Sequence, residues 1–128
     1  MVLHFFDGAL IEKSVSQLFL SLKPGGKLFI VADTPYIKPF QGFIPIYEKL
    51  KKDGAQWPGL ISDLASYVPS RAPNLPGMFH ALDPEVLSRV LVGAGFRIEK
   101  FGIFAQTRYP EDIQLDGREG VGCVAVRE

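Results

Sequence analysis

The stretch that decides the fold is Leu22-Lys23-Pro24-Gly25-Gly26-Lys27-Leu28-Phe29-Ile30-Val31. Its Pro-Gly-Gly triplet cannot continue a helix, so it predicts a helix end and a tight turn. The apolar residues after the triplet predict a buried strand. Upstream, Asp7 is a helix-capping residue, and a helical face follows it at Ile11, Val15, Leu18 and Leu22. Residues 1–6 are almost wholly apolar and predict a further buried strand, so the strand–helix–strand order implies a parallel pair with a right-handed crossover.

Composition narrows the class of protein. The chain has 128 residues, with 14 basic and 14 acidic side chains and a formal net charge of zero. No long-range field therefore favours nucleic acid or an anionic membrane, and no apolar run approaches the roughly 20 residues of a spanning helix. Cys123 is the single cysteine, which excludes an internal disulfide and a cysteine metal site. We expect no metal and a cytoplasmic protein.

The middle of the chain, residues 35–82, predicts a helical insertion rich in proline and aromatic residues. One helix is expected through Ile46 and Leu50, ending at Asp53-Gly54. A second helix, with Pro58 near its first turn, is expected through Leu60, Ile61, Leu64 and Tyr67.

Regular structure resumes at Asp83-Pro84, a cap followed by a proline at the first helical position. Gly95 is placed to end that helix. Residues 96–106 then predict a strand with a bulge near Glu99-Lys100, and residues 121–126 predict a final antiparallel strand.

Four elements in this order resemble the C-terminal half of class I S-adenosylmethionine (SAM) dependent methyltransferases. They are Val2-Leu3-His4-Phe5-Phe6, Leu22-Lys23-Pro24-Gly25-Gly26, Phe79-His80-Ala81-Leu82-Asp83-Pro84-Glu85 and Ala94-Gly95-Phe96-Arg97-Ile98. The resemblance implies an α/β fold with a partial Rossmann-like sheet of about four strands, parallel except for a C-terminal antiparallel hairpin. The expected single domain divides into 1–34 (strand–helix–strand), the insertion at 35–82, and 83–128 (helix and hairpin).

The family's cofactor loop has no counterpart here, because the chain contains no Gly-x-Gly-x-Gly. Gly25-Gly26 precedes a strand instead of following one, which is the wrong context for that loop. The resemblance therefore implies the acceptor side of a methyltransferase. The aromatic, proline-rich insertion and the zero net charge favour a small-molecule acceptor. We expect these 128 residues alone to be inactive and to bind SAM weakly or not at all. Residues 1–6 would form a free strand edge, so we expect self-association or pairing with a partner chain there.

Candidate site residues follow from the same resemblance and from residue chemistry. His4 and Phe5 end the strand that lies near the cofactor in the family. His80 is a candidate general base, and Asp33 ends a strand where active-site residues of open α/β sheets gather. An aromatic group is a candidate acceptor pocket: Tyr36, Phe40, Tyr47, Trp57, Phe79 and Tyr109. A purely structural role is the open alternative for all of them. In that case either histidine would instead bond the backbone, and the aromatic residues would pack the insertion. Asp112, Asp116 and Glu119 are interpreted as solvated carboxylates.

Two rival functions remain open. One is a non-enzymatic methyltransferase-like module that pairs with another chain. The other is an unrelated small α/β enzyme that uses Asp33 and His80, which requires the two side chains to converge in a pocket.

Overall fold

The computed structural model of the chain describes residues 3–63 and 77–128. The fold is mixed α/β, as predicted. Its α-helices are α1 (Gly8–Ser21), α2 (Ile44–Lys52) and α3 (Pro84–Ala94). Its strands are β1 (Lys27–Asp33), β2 (Leu60–Ile61), β3 (Phe79–His80), β4 (Arg97–Phe104) and β5 (Gly120–Val126). Short 3-10 helices span Leu3–Phe5 and Lys38–Phe40.

The predicted turn between α1 and β1 is confirmed. The Gly26 N–H donates to the Lys23 carbonyl over 2.8 Å. Between them Gly25 adopts a φ of +85°, which a side-chain-bearing residue enters only at a cost. Arg127 ties this turn to the end of β5, because its guanidinium donates to the carbonyls of Phe19 and Leu22, each over 2.6 Å.

Both predicted helix caps are also confirmed. Asp7 accepts the Leu10 N–H over 2.9 Å, and Asp83 accepts the Val86 N–H over 2.7 Å. Each side-chain oxygen satisfies a donor that the first helical turn leaves without an internal partner. Gly95 ends α3 in the left-handed conformation, with a φ of +111°.

The main sheet has the strand order β1–β5–β4 and is antiparallel throughout. The final strand lies between its two partners, so Ile30 pairs with Cys123 and Cys123 pairs with Phe101. The predicted antiparallel hairpin and the bulge are confirmed, since the β4–β5 register shifts between Ile98 and Lys100. The predicted parallel pair is wrong for the residues the structure describes.

The missing parallel partner is explained by residues 3–5, which form a 3-10 helix and not a strand. At this point the side chain of His4 occupies the edge of β1, because the Asp33 N–H donates to His4 Nε2 over 2.9 Å. The Asp33 carbonyl is also satisfied, by the Leu82 N–H over 2.9 Å. Because the N–H and the C=O of Asp33 both have partners already, a strand at residues 3–5 could not form backbone hydrogen bonds with β1 at that position.

Helices α1 and α3 cover one face of the main sheet and form the larger core with it. The sheet contributes Ile30, Ala32, Val121, Cys123 and Ala125, and the helices contribute Ile11, Val15, Val86, Leu87, Val90 and Leu91. The opposite face of β1 is open, and Phe29 and Val31 are exposed there.

The insertion contains the predicted α2, which ends at Lys52 with Asp53 as its C-cap. The second predicted helix is wrong where the structure describes it, because Leu60 and Ile61 pair with His80 and Phe79 in a two-stranded sheet. Leu64 and Tyr67 lie outside the described residues. A second core of Ile37, Phe40, Phe43, Tyr47 and Ile61 holds this region together.

Glu119 corrects another prediction, because its side chain is buried and not solvated. Its carboxylate accepts four backbone N–H groups over 2.7–3.1 Å, from Gln106, Leu115, Asp116 and Gly117. Burial raises the pKa of Glu119, but these hydrogen bonds outweigh it and hold that pKa below its ordinary value. The anion therefore organises the connection between β4 and β5.

Candidate functional site

A cavity of about 300 Å³ opens at the carboxyl end of β1. Four segments converge on it: the end of β1, the first 3-10 helix, β3, and the chain after β4. Its lining residues are His4, Phe5, Val31, Ala32, Asp33, Phe79, Gln106 and Tyr109. Five of these were predicted site residues, namely His4, Phe5, Asp33, Phe79 and Tyr109.

His4 joins the segments around the cavity through both of its ring nitrogens. Nε2 accepts the Asp33 N–H over 2.9 Å, so it carries a lone pair, and Nδ1 is then the protonated nitrogen that donates to the His80 carbonyl over 2.7 Å. Burial lowers the pKa of His4, more than the His80 hydrogen bond and the Asp33 charge raise it. The imidazole is therefore neutral, and neither nitrogen is available to a ligand.

Asp33 supplies the carboxylate of the cavity. The Tyr109 hydroxyl donates to Asp33 Oδ1, which ties the segment after β4 to the end of β1. Burial raises the pKa of Tyr109, and the hydrogen bond and charge of Asp33 raise it further. Tyr109 is thus a neutral donor at physiological pH. Among the described residues, no donor contacts Asp33 Oδ2.

Aromatic rings form the walls. Phe79 stacks on His4 with a centroid separation of 4.5 Å, and Phe5 meets Phe79 edge-on at 6.4 Å and 85°. The Phe5 side chain is 53% exposed, although it is large and apolar. An exposed ring beside an open cavity is a surface that a ligand can cover.

The structure separates His80 from this cavity. Its side chain is completely buried, its Nδ1 donates to the Phe6 carbonyl over 3.0 Å, and its ring centroid lies 5.5 Å from that of Trp57, with the two rings at 82°. Within the described part of the chain, His80 Nε2 has no hydrogen-bond partner. Burial lowers the pKa of His80. Asp33 and His80 do not line a common cavity, so the geometry gives no support to an enzyme that uses both side chains.

Four of the predicted pocket aromatics lie elsewhere. Tyr47 is buried and donates to Asp83 Oδ2 over 2.6 Å, and Tyr36 packs edge-on against it at 5.7 Å. Phe40 lies in the second core behind Phe79, 5.0 Å from that ring. Trp57 lies under the guanidinium of Arg89 at 4.7 Å. Tyr36, Phe40 and Tyr47 pack the second core of the insertion, the alternative that the sequence left open, whereas Trp57 packs against the larger core.

Gln106 lines the cavity but was not predicted as a site residue. Its position as the last residue of the predicted strand was the available indication, since strand ends meet at one edge of a sheet. Its backbone N–H also binds Glu119, over 3.1 Å, so the buried anion helps to position this wall.

Comparison with known proteins bears on the fold. No family model matches this sequence, and no curated protein matches it. A solved structure of a SAM-dependent methyltransferase from Methanosarcina mazei is similar, with a TM-score of 0.59 at 15% sequence identity. The similarity covers 94% of this chain and 52% of the other, so the chain spans about half the length of that protein. The fold of this chain is methyltransferase-like.

The described residues do not by themselves fit SAM as the family holds it. A phosphate- or methionine-binding glycine loop follows a strand, whereas the glycines with positive φ here, Gly25, Gly54, Gly95 and Gly117, precede strands or end helices. No group of three or more His, Cys, Asp or Glu gathers as a metal site in residues 3–63 and 77–128. Within the same ranges, no helix has the length and apolarity to span a membrane.

Proposed function

We propose that this chain forms the acceptor-binding, C-terminal side of a SAM-dependent methyltransferase that acts on a small molecule. The observation that carries the proposal is the cavity at the carboxyl end of β1 in a methyltransferase-like fold. Ligands of open α/β sheets bind beyond the carboxyl ends of the strands. The volume of about 300 Å³ lies at the lower end of the range for small-molecule sites.

Methyl transfer requires few catalytic side chains, which agrees with the small number of polar groups that line the cavity. The sulfonium of SAM is the leaving group, so the protein contributes mainly orientation and exclusion of water. Phe5 and Phe79 supply apolar walls, and Asp33 with Tyr109 supplies a polar anchor. Neither His4 nor His80 is positioned as a base. We also propose a cytoplasmic location, to which the buried free thiol of Cys123 is suited.

The 128 residues alone are proposed to be inactive. With no Gly-x-Gly-x-Gly in the sequence, they lack the glycine loop whose backbone holds the cofactor in the family. Calorimetry with SAM and the 128-residue chain tests this statement. We expect no measurable heat of binding at micromolar concentrations, and tight binding by this chain alone contradicts the proposal.

The acceptor-binding role needs a separate measurement. A set of small methyl-acceptor molecules is screened by NMR against the ¹⁵N-labelled chain. We expect amide shifts to cluster at Asp33, Phe79 and Gln106. Phe5→Ala removes an exposed cavity wall and is expected to weaken binding. Leu20→Ala is the matched control, because it removes a side chain that is exposed on α1 outside the cavity. Equal loss of binding in both variants, or shifts confined to other surfaces, overturns the assignment.

The second candidate function is a non-enzymatic module that associates with a second copy of itself. It is favoured by the edge of β1, whose neighbour among the described strands is β5 on one side only. The N–H and C=O of Asp33 point to the other side, toward His4 and Leu82. Alternate residues of an antiparallel strand share this orientation, so Phe29 and Val31 direct their backbone groups to the same free edge.

An apolar cleft of about 590 Å³ runs along that edge between β1 and α1, with Leu3, Phe6, Leu10, Leu18 and Leu28 among its lining residues. A second copy of β1, antiparallel and centred on Phe29, would pair Lys27 with Val31 and cover both clefts at once. Because the formal net charge of the chain is zero, no long-range repulsion between two copies opposes this contact. In this hypothesis the strand edge that associates is that of β1, whereas the sequence predicts association at residues 1–6.

Light scattering tests the module. We expect a dimer for the unaltered chain and a monomer for Phe29→Lys, which places a charge at the centre of the paired edge. Leu20→Lys is the matched control, because Leu20 is 67% exposed and lies outside the cleft. A stable monomer of the unaltered chain at high micromolar concentration contradicts the module.

A further inference from the structure

We infer that the cavity at the carboxyl end of β1 binds a small organic cation. The inference rests on the proposed function in one respect, since the cation is inferred to be the group by which the acceptor is held, while an uncharged nucleophile elsewhere on the same molecule would take the methyl group. Its basis is the charge and the ring geometry of the lining residues, and both can be tested without methyl transfer.

The described lining residues of the cavity carry one negative charge and no positive charge. Asp33 is the one residue with a formal charge at neutral pH among the described lining residues, which include no lysine or arginine. His4 cannot supply a positive charge, because its Nε2 accepts the Asp33 N–H. The Tyr109 hydroxyl occupies one carboxylate oxygen, which fixes the orientation of the carboxylate and leaves Oδ2 without a described donor. A cation in the cavity completes this arrangement, whereas an anion is repelled.

The rings around Asp33 favour the same ligand. Phe5, which is 53% exposed, offers open ring surface, and Phe79, which stacks on His4 and meets Phe5 at 85°, lines the cavity beside it. Tyr109 adds a third ring, held in place by its hydrogen bond to Asp33. The faces of aromatic rings attract ammonium and sulfonium groups, and several rings around one cation form an aromatic cage.

A neutral ligand uses this site less well. It would gain the apolar contacts with Phe5 and Phe79, but it would leave the half-buried carboxylate of Asp33 with water as the partner of its free oxygen. The size of the cavity, about 300 Å³, accommodates a compact ammonium compound.

The test compares choline with 3,3-dimethylbutanol, its uncharged isostere, by NMR titration of the ¹⁵N-labelled 128-residue chain at low salt. We expect choline to shift the amides of Asp33, Phe79 and Gln106 and to bind about tenfold more tightly than the alcohol. Asp33→Asn keeps an oxygen for Tyr109 and the same backbone N–H, and we expect it to remove most of that preference. Glu12→Gln is the charge-matched control, because Glu12 is exposed on α1 and does not line the cavity. It should leave the preference unchanged.

A parallel titration with SAM separates the two sources of an onium group. Choline shifts without SAM shifts at these amides support an ammonium ligand, as inferred. SAM shifts at the same amides would assign the cavity to the sulfonium of the cofactor and overturn the ammonium acceptor.

Equal binding of choline and the alcohol overturns the cation inference but leaves the cavity as the acceptor site of the proposed function. Binding of neither probe at these amides overturns both. An equal loss of preference in Asp33→Asn and Glu12→Gln also overturns the inference, because the effect would then be that of net charge alone.

Discussion

The backbone N–H of Asp33 donates to Nε2 of His4 over 2.9 Å, and this bond joins the end of β1 to the first 3-10 helix. The other nitrogen of the same ring binds the His80 carbonyl over 2.7 Å, so one buried side chain connects three segments. His4, which the resemblance places near a cofactor, thus uses both ring nitrogens for backbone hydrogen bonds beside the cavity. The carboxylate of Asp33, in contrast, faces the cavity and is available to a ligand.

Replacing His4 tests this structural role. We expect His4→Phe to lower the free energy of unfolding by about 2–3 kcal/mol, because the ring stack with Phe79 survives while a buried donor and a buried acceptor lose their partner. Urea denaturation measures the change. His4→Gln is the control, since its amide retains both a donor and an acceptor, and it should cost less. A smaller loss in His4→Phe than in His4→Gln would show that ring shape, and not hydrogen bonding, is what matters.

Stability should fall as the pH is lowered from 7.5 to 5.5. Burial lowers the pKa of both His4 and His80 in the folded chain, so below an unfolded-state pKa of about 6.5 the unfolded state binds more protons. The stabilisation is therefore complete above that pKa and is lost as the pH falls through it. The loss over this interval is at most about 1.4 kcal/mol per histidine. Urea midpoints at the two pH values measure it, and His4→Gln should show a shallower dependence. An unchanged slope in that variant would assign the pH effect to other groups.

The buried anion Glu119 should contribute strongly to stability. Glu119→Gln removes the charge from an acceptor of four backbone N–H groups, and we expect a loss of about 2–3 kcal/mol in the free energy of unfolding. The folded-state pKa is lowered, so the advantage of the carboxylate is present above an unfolded-state pKa of about 4.3 and is lost below it. Denaturation at pH 7 and pH 3.5 measures both effects.

Glu99→Gln is the control for this prediction. The Glu99 carboxylate pairs with Lys27 over 3.0 Å at the surface, and exposed pairs contribute at most about 1 kcal/mol. A larger loss in Glu99→Gln than in Glu119→Gln would contradict the role assigned to the buried carboxylate.

The turn before β1 offers a test of backbone strain alone. Gly25 has a φ of +85°, and a Cβ built there meets nothing within 4 Å. Gly25→Ala should therefore cost about 1 kcal/mol from the left-handed conformation, with no steric clash. Gly93 in α3 is the matched control, since its Cβ also meets nothing within 4 Å but its φ is helical. We expect Gly93→Ala to stabilise the chain by about 0.5–1 kcal/mol. Thermal unfolding compares the two, and the same sign in both would refute the explanation.

Features that depend on neighbours along the chain were predictable from the sequence. Asp7 and Asp83 cap helices through N–H groups three residues away, and Gly95 ends α3 through its own backbone freedom. The position of Asp33 at the end of a strand followed from the apolar run before it, and the structure shows a cavity there. The energies involved are local, so the sequence pattern reports them directly.

Features that depend on distant partners were not predictable. Residues 3–5 are apolar enough for a strand, but His4 bonds to groups 29 and 76 residues away and the segment turns into a 3-10 helix. Leu60 and Ile61 have the spacing of a helix, yet they pair with β3. Glu119 looks like a surface carboxylate until the connection around it supplies four N–H groups.

The amino-acid pattern thus specifies the helices, the three long strands, the turn between α1 and β1, and a methyltransferase-like class of fold. The antiparallel order β1–β5–β4, the neutral form of His4 and the pairing of Asp33 with Tyr109 come from contacts between remote segments. Such contacts form only when the cores have packed, because burial sets both which backbone groups remain to be satisfied and which charges can persist.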